Sequence, residues 1–235
     1  MKFEIPNEAI LYIIYQRTHY LKDNLFFKIL TRLGGYSTQT YKLSVWLKSK
    51  LFVKKITQAF YDDIANDYRS IKQHLPDEAS NILDIGSGVA GIDIFFNEHY
   101  QKSVKIHLLD KTALDTEVFY NFNPKTAYYN SLEIAKKMLV VNNVPEENIY
   151  LHSAENPSEA FIDIKYDLIT SFISWGFHYP VSTYIDSVHQ SLSTGGALII
   201  DIRKGTTGLK EIQDRFSKTT VITEYPVHQT VLAIK

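Results

Sequence analysis

This sequence predicts an α/β fold built on a doubly wound, mostly parallel seven-stranded sheet, and three observations predict it. The apolar run Asn81-Ile82-Leu83 leads into Asp84-Ile85-Gly86-Ser87-Gly88-Val89-Ala90-Gly91, after which Ile92, Ile94, Phe95 and Phe96 mark the apolar side of a helix. Strand, glycine-rich turn and helix N-terminus in that order open many ligand-binding α/β sheets. Four more apolar runs of strand length follow, separated by stretches that leave room for crossovers. The chain then closes on two β-rich runs joined by a short turn, the pattern of an antiparallel hairpin.

Residues 1–75 precede this sheet and read as a helical extension. Ile10, Leu11, Ile13, Ile14 and Tyr15 open one helix, and Leu25, Phe26, Ile29, Leu30 and Leu33 form a stripe that stops at Gly34-Gly35, a helix cap. Another helix starts at Ser37 or Thr38 and passes Trp46, Leu47, Leu51 and Phe52; residues 61–68 begin or continue a helix just ahead of the sheet. Pro76 breaks the chain there, so the expected domains are 1–75, a lid and substrate region, and 76–235, the sheet. The second strand covers 104–109 and ends at Asp110. The third, 149–152, runs into Ser153-Ala154-Glu155-Asn156. The fourth covers 166–172, a helix covers 180–191, and the turn Ser193-Thr194-Gly195-Gly196 introduces the fifth strand, 197–202. Residues 220–234 supply the closing hairpin.

Asp84 stands two positions before the first glycine, at the mouth of the expected pocket. A phosphate there is repelled, while a cationic head is attracted. S-adenosylmethionine has an ammonium, a sulfonium and no phosphate, and meets that condition. Gly86, Ser87, Gly88 and Gly91 are its expected loop contacts. Asp110, at the tip of the second strand with Lys111 beside it, is placed to accept both ribose hydroxyls. Small Ala154 leaves room for adenine, and Glu155 is placed for its exocyclic amine. A nicotinamide oxidoreductase is the rival enzyme class. Asp84 argues against it, and the one Tyr-x-x-x-Lys pair, Tyr68 and Lys72, precedes the glycine loop instead of following it. A non-catalytic binding subunit is the other rival, and the intact loop with Asp110 argues for retained ligand binding.

On these residues the stretch from about 76 to 235 resembles the class I S-adenosylmethionine-dependent methyltransferases. The matching segments are Leu83-Asp84-Ile85-Gly86-Ser87-Gly88, Leu109-Asp110, Ser153-Ala154-Glu155, Tyr166-Asp167-Leu168-Ile169 and Leu192-Ser193-Thr194-Gly195-Gly196. One departure is the third glycine, which many members carry at the position of Ala90 and this chain carries at Gly91. The resemblance implies a Rossmann-like sheet with a final antiparallel hairpin, S-adenosylmethionine as cofactor, and N-terminal helices that cover it and build the acceptor pocket. Ser171 and Tyr61 complete the expected cofactor contacts.

Ligands of parallel sheets sit beyond the carboxyl ends of the strands, so Ser171-Phe172-Ile173-Ser174-Trp175-Gly176-Phe177-His178-Tyr179-Pro180 faces the methyl-transfer point. His178 is its one titratable group of near-neutral pKa and the expected general base. Tyr179 orients the acceptor, and Trp175 and Phe177 wall it. Short insertions after the core strands point to a small acceptor bearing a hydroxyl, a sugar or another hydroxylated metabolite. N-methylation and RNA or protein acceptors are the alternatives.

Composition bounds the rest. The chain has 235 residues, 45% of them apolar, enough for a sizeable core. Its net charge of −1 carries no strong nucleic-acid signature, although residues 1–75 are net basic and 76–235 net acidic. The N-terminal apolar stripes with Lys48, Lys50, Lys54 and Lys55 leave weak membrane-surface contact as a further expectation. There is no cysteine, which excludes disulfides and thiolate chemistry, and the eight histidines show no metal-binding spacing. No stretch approaches the roughly 18 apolar residues of a membrane span. Glu4 and Glu8 stand where a signal peptide is basic, so a cytoplasmic enzyme is expected. Oligomeric state is not legible.

Overall fold

A computed structural model describes residues 4–22, 39–114 and 129–235. The helical stripe expected at 25–33, its cap at Gly34-Gly35 and the start of the next helix at Ser37 or Thr38 lie outside the described residues.

The N-terminal part is helical: α1 spans Asn7–Gln16, a short turn of helix His19–Lys22, α2 Gln39–Leu51 and α3 Val53–Ile71. Residues 61–68 therefore lie inside a 19-residue helix, whose buried Ile56, Phe60, Ile64 and Ile71 fall on one stripe. Beyond it lie β1 Asn81–Ile85, α4 Gly91–His99, β2 Lys105–Asp110, α5 Leu132–Val141, β3 Ile149–Ser153 and β4 Tyr166–Ser171. The last third holds α6 Ile185–Ser191, β5 Leu192–Arg203, α7 Gly208–Arg215, β6 Lys218–Glu224 and β7 His228–Ile234. The strands form one seven-stranded sheet in the order β3-β2-β1-β4-β5-β7-β6. The first five are parallel, and β7 runs antiparallel to both β5 and β6. The doubly wound sheet with its closing hairpin is thus present as expected.

Two local expectations are corrected. The helix read over 180–191 is broken: Val181–Thr183 is a 3₁₀ turn, and the α-helix begins only at Ile185. The break lets the Val181 carbonyl accept from Trp175 Nε1 at 3.0 Å. The turn at Ser193-Thr194-Gly195-Gly196 is an irregularity inside β5, not a turn before it. Gly195 N donates to Lys235 O and Lys235 N to Gly196 O, so pairing with the chain end continues through the glycines. Helices α5 and α7 had no counterpart in the sequence reading.

The sheet is buried on both faces. Ile82, Ile106 and Leu168 pack with α1, α3, α4 and α5, whereas Leu83, Ile85, Leu109 and Ile169 pack on the opposite side with α6 and α7. Alternation along each strand sends neighbouring side chains to opposite faces. The N-terminal helices belong to the first cluster: Ala9, Ile10, Ile13 and Ile14 of α1 are all fully buried. Asn142 fixes the entry to α1, its side chain accepting from Glu4 N and donating to Glu4 O. Lys137 pairs with Glu8.

Candidate functional site

The order reversal of the sheet falls between β1 and β4, and a cavity of about 840 Å³ opens at the carboxyl ends of these strands. Ligand cavities of open α/β sheets form at such reversals. The glycine loop is one wall. Gly86 takes φ 77° and sits so close to Ser174 that a Cβ would meet its Oγ at 1.8 Å. Its N–H donates to Leu109 O at 2.7 Å, which ties the loop to the end of β2. The glycine displaced in sequence has a packing cause. A Cβ at Gly91 would lie 2.7 Å from Phe60 Cζ of α3, so small size is needed there, and Ala90 instead takes the left-handed φ of 57°.

Three carboxylates surround the loop. Asp110 accepts from Gly88 N at 2.8 Å and Lys111 N at 2.6 Å. Burial still pushes its pKa up to about 6, against the pull of those N–H groups and the Asn130 side chain. Asp84 accepts from Thr170 Oγ1 at 3.0 Å. It does not stand at the mouth as a free charge. It is 3% exposed, and its neighbour is the fully buried Asp93 of α4, a residue the sequence reading passed over. Burial lifts Asp84 to about 7 and Asp93 well above the usual carboxylate range. Each carboxyl therefore keeps its proton to higher pH than an ordinary aspartate. Among the described residues, Ser87 Oγ is buried in the loop without a hydrogen-bond partner.

The far end of the cavity lies beyond β4. Ser171 Oγ donates to Ile85 O at 2.7 Å and accepts from Trp175 N, which bends the chain into the extended segment Ser174–Tyr179. Ile173 takes φ 51°, uncommon for a β-branched residue, and its N–H is held by Asp201 Oδ2 at 3.2 Å. His178 lines the cavity, and its buried Nδ1 has no hydrogen-bond partner among the described residues. Burial lowers its pKa, and the nearby Arg203 lowers it further. From the N-terminal side, Gln16 donates to Asn130 Oδ1 at 3.3 Å, and Arg17 pairs with Asp63 at 3.3 Å and Asp67 at 3.2 Å.

The cavity brings together Asp84, Gly86, Ser87, Gly88, Gly91, Asp110, Lys111, Ala154, Glu155, His178 and Tyr179. It leaves out two expected contacts. Tyr61 turns away and packs on Phe95 at 6.1 Å, because its neighbour Phe60 takes the inward stripe of α3. Ser171 spends its hydroxyl on the β4 exit. Sequence reasoning missed Gln16, Asp67, Asp201, Tyr225, His228 and Thr230, all of which line it. Asp201 had a visible signal, a lone acid inside the apolar run 197–202. His228 had none, because only the pairing of β7 with β5 brings it to this edge.

No family model and no curated protein matches the chain. Solved structures do resemble it. A precorrin-6y C5,15-methyltransferase from Geobacter metallireducens GS-15 aligns over 73% of this chain and 86% of its own, at 16% identity and a TM-score of 0.51. A T. thermophilus 16S rRNA methyltransferase in complex with AdoMet and guanosine aligns over 71% and 41%, at 10% identity and 0.52. A candidate O-methyltransferase from Nostoc punctiforme PCC 73102 aligns over 97% and 72%, at 16% identity and 0.53. The chain has the fold of these class I methyltransferases.

Proposed function

We propose that this chain is an S-adenosylmethionine-dependent methyltransferase that acts on a hydroxyl of a small acceptor. The observation that carries the cofactor reading is Asp110, held at the tip of β2 by Gly88 N beside a loop walled by acids. The site suits a cationic ligand without phosphate: the carboxyls of Asp67, Asp84, Asp110, Glu155 and Asp201 line it against Arg17 and Lys111, and the buried Ser87 hydroxyl has no protein partner among the described residues. The T. thermophilus rRNA methyltransferase of similar fold, solved in complex with AdoMet, supports the same ligand. The structures of similar fold include a precorrin, an rRNA and a candidate O-methyltransferase, so the fold leaves the acceptor open.

In this reading Asp110 takes the ribose hydroxyls, Ala154 and Glu155 flank the adenine, and the acids beneath the loop favour the cationic end. The cofactor supplies an activated methyl on a sulfonium, and no covalent bond to the protein is required. The chain aligns the acceptor, excludes water and receives its proton; alignment alone is worth several orders of magnitude in rate. Gln16 of α1 closes over the loop side, while His178 and Tyr179 contact the acceptor from the β4 side.

Calorimetry tests this. S-adenosylhomocysteine is expected to bind in the low micromolar range, on the order of −8 kcal/mol. Asp110→Ala is expected to weaken it by about 1.5–3 kcal/mol in a folded protein. Tight NAD binding with none for S-adenosylhomocysteine overturns the proposal.

A further inference from the structure

We infer that the acceptor is a phenol-class hydroxyl and that His228, held beside Asp201 at the carboxyl edge of the sheet, receives its proton. The inference rests on the methyltransferase reading above and deepens it. Asp201 leaves β5 at this edge, 4% exposed, with both oxygens fixed: Oδ1 accepts from Thr230 Oγ1 at 2.6 Å and Oδ2 from Ile173 N at 3.2 Å. His228 opens β7 next to it, and its Nε2 lies 3.8 Å from Asp201 Oδ2. That separation is too long for a direct hydrogen bond, and among the described residues Nε2 has no hydrogen-bond partner. The imidazole is clamped by rings: it stacks on Tyr225 at 4.3 Å and 17°, and meets Phe177 edge-on at 5.7 Å. Both Asp201 and His228 line the cavity.

Two imidazoles thus face the acceptor end, and their charged neighbours decide between them. A proton arriving on His178 meets Arg203, which disfavours it. Burial lowers the pKa of His228 as it does that of His178, with Lys204 acting in the same direction, and the difference is geometric: the carboxyl of Asp201 stands 3.8 Å from His228 Nε2. Asp67 and Arg17 act on Asp201 from the helical side with opposite signs. An imidazolium beside a carboxylate is the stable pair, whereas one beside a guanidinium is not. Asp201 is a positioning residue in this scheme, and His228 the catalytic one.

The acceptor class follows from the wall and the base. Phe172, Tyr179, Tyr184 and Tyr225 line the cavity together with Ile173, which is 41% exposed. Such a wall suits a flat aromatic body. A phenol ionises near pH 10, much closer to the range of an imidazole base than a hydroxyl as weakly acidic as water, at about 15.7. In the transfer, an oxygen electron pair forms the O–CH₃ bond and the S–CH₃ bond breaks with its pair going to sulfur. The hydroxyl proton goes to His228 Nε2, so a neutral thioether, a methyl ether and an imidazolium result.

The test uses 4-nitrophenol, whose phenolate is coloured, added to the full chain with S-adenosylhomocysteine bound, about one pH unit below the phenol's own pKa. The wild type is expected to raise the phenolate fraction over that in buffer. His228→Gln is expected to lower the bound phenolate about tenfold or more, and Asp201→Asn to lower it less, both with S-adenosylhomocysteine affinity kept as proof of folding. Asp201→Glu, which keeps the charge, is expected to recover part of the loss. If the wild type binds S-adenosylhomocysteine but shows no added phenolate, the inference falls while the methyltransferase reading stands. It falls equally if His228→Gln keeps the signal, or if His178→Gln alone abolishes it. If the wild type does not bind S-adenosylhomocysteine, the underlying reading falls first.

Discussion

Asp93 holds its proton more tightly than most aspartates. It is fully buried on the first turn of α4, its partner is Asp84, and burial raises both carboxyls above their usual 3.8. A raised folded-state pKa means that the folded chain holds protons the unfolded chain has released. Stability from the pair is therefore fully present below about pH 4 and is lost as pH rises through the folded value of Asp84, about 7. The slope approaches about 1.4 kcal/mol per pH unit for each proton so held. Asp93→Asn keeps a donor toward Asp84 without a titrating group. Thermal melts across this window are expected to show a flatter pH profile for the variant and a higher melting temperature than wild type at pH values above about 7. Parallel profiles would show that the pair holds no extra proton. At this scale the sequence made Asp84 legible, because acid-before-glycine is a local pattern. Asp93 was not, since one acid among apolar helix residues has no meaning until the strand beneath it is placed.

The glycine loop and α4 behave as one element with α3. Gly91 is small because Phe60 fills the space above it, and Ala90 accepts a left-handed backbone in consequence. Gly91→Ala is expected to destabilise by about 1–3 kcal/mol, the usual cost of overpacking. Phe60→Leu in the same chain is expected to recover part of that loss, so a denaturation double-mutant cycle should give a favourable coupling. Additive losses would mean that the two do not touch. The strands were legible at this scale, because those buried on both faces read as unbroken apolar runs. The break at Tyr184 before α6 was not, because it answers to a bond from Trp175 Nε1 to the Val181 carbonyl, a contact that no periodicity encodes.

Over the whole molecule, residues before Pro76 share the core of the sheet instead of resting on it. Ile10, Ile13, Ile14, Ile56, Phe60 and Ile71 lie in one cluster with Ile82, Ile106 and Leu168. Each such side chain is worth about 1.5–3 kcal/mol when buried, and a domain's net stability is only about 5–15 kcal/mol. A chain beginning at Pro76 is therefore expected to lose cooperative unfolding by circular dichroism, not merely its acceptor contacts. A truncated chain that melts cooperatively and binds S-adenosylhomocysteine with full affinity would make the N-terminal helices a separable cover. No helix among the described residues is long and apolar enough to cross a membrane.

What the sequence determined by itself was the local and the repetitive. It determined the strand run, the glycine turn, Asp110 at the tip of β2 and the Ala154-Glu155 step, because each is a short pattern whose chemistry follows from neighbours in the chain. Tertiary structure alone decided which residues meet across it. The antiparallel return of β7 places His228 beside Asp201, 27 residues earlier and on the neighbouring strand. The packing of α3 on α4 turns Phe60 inward and Tyr61 out, and the nearness of Arg203 gives His178 a cationic neighbour. Burial and through-space charge set these chemical characters, and neither quantity is defined until the chain has folded back upon itself.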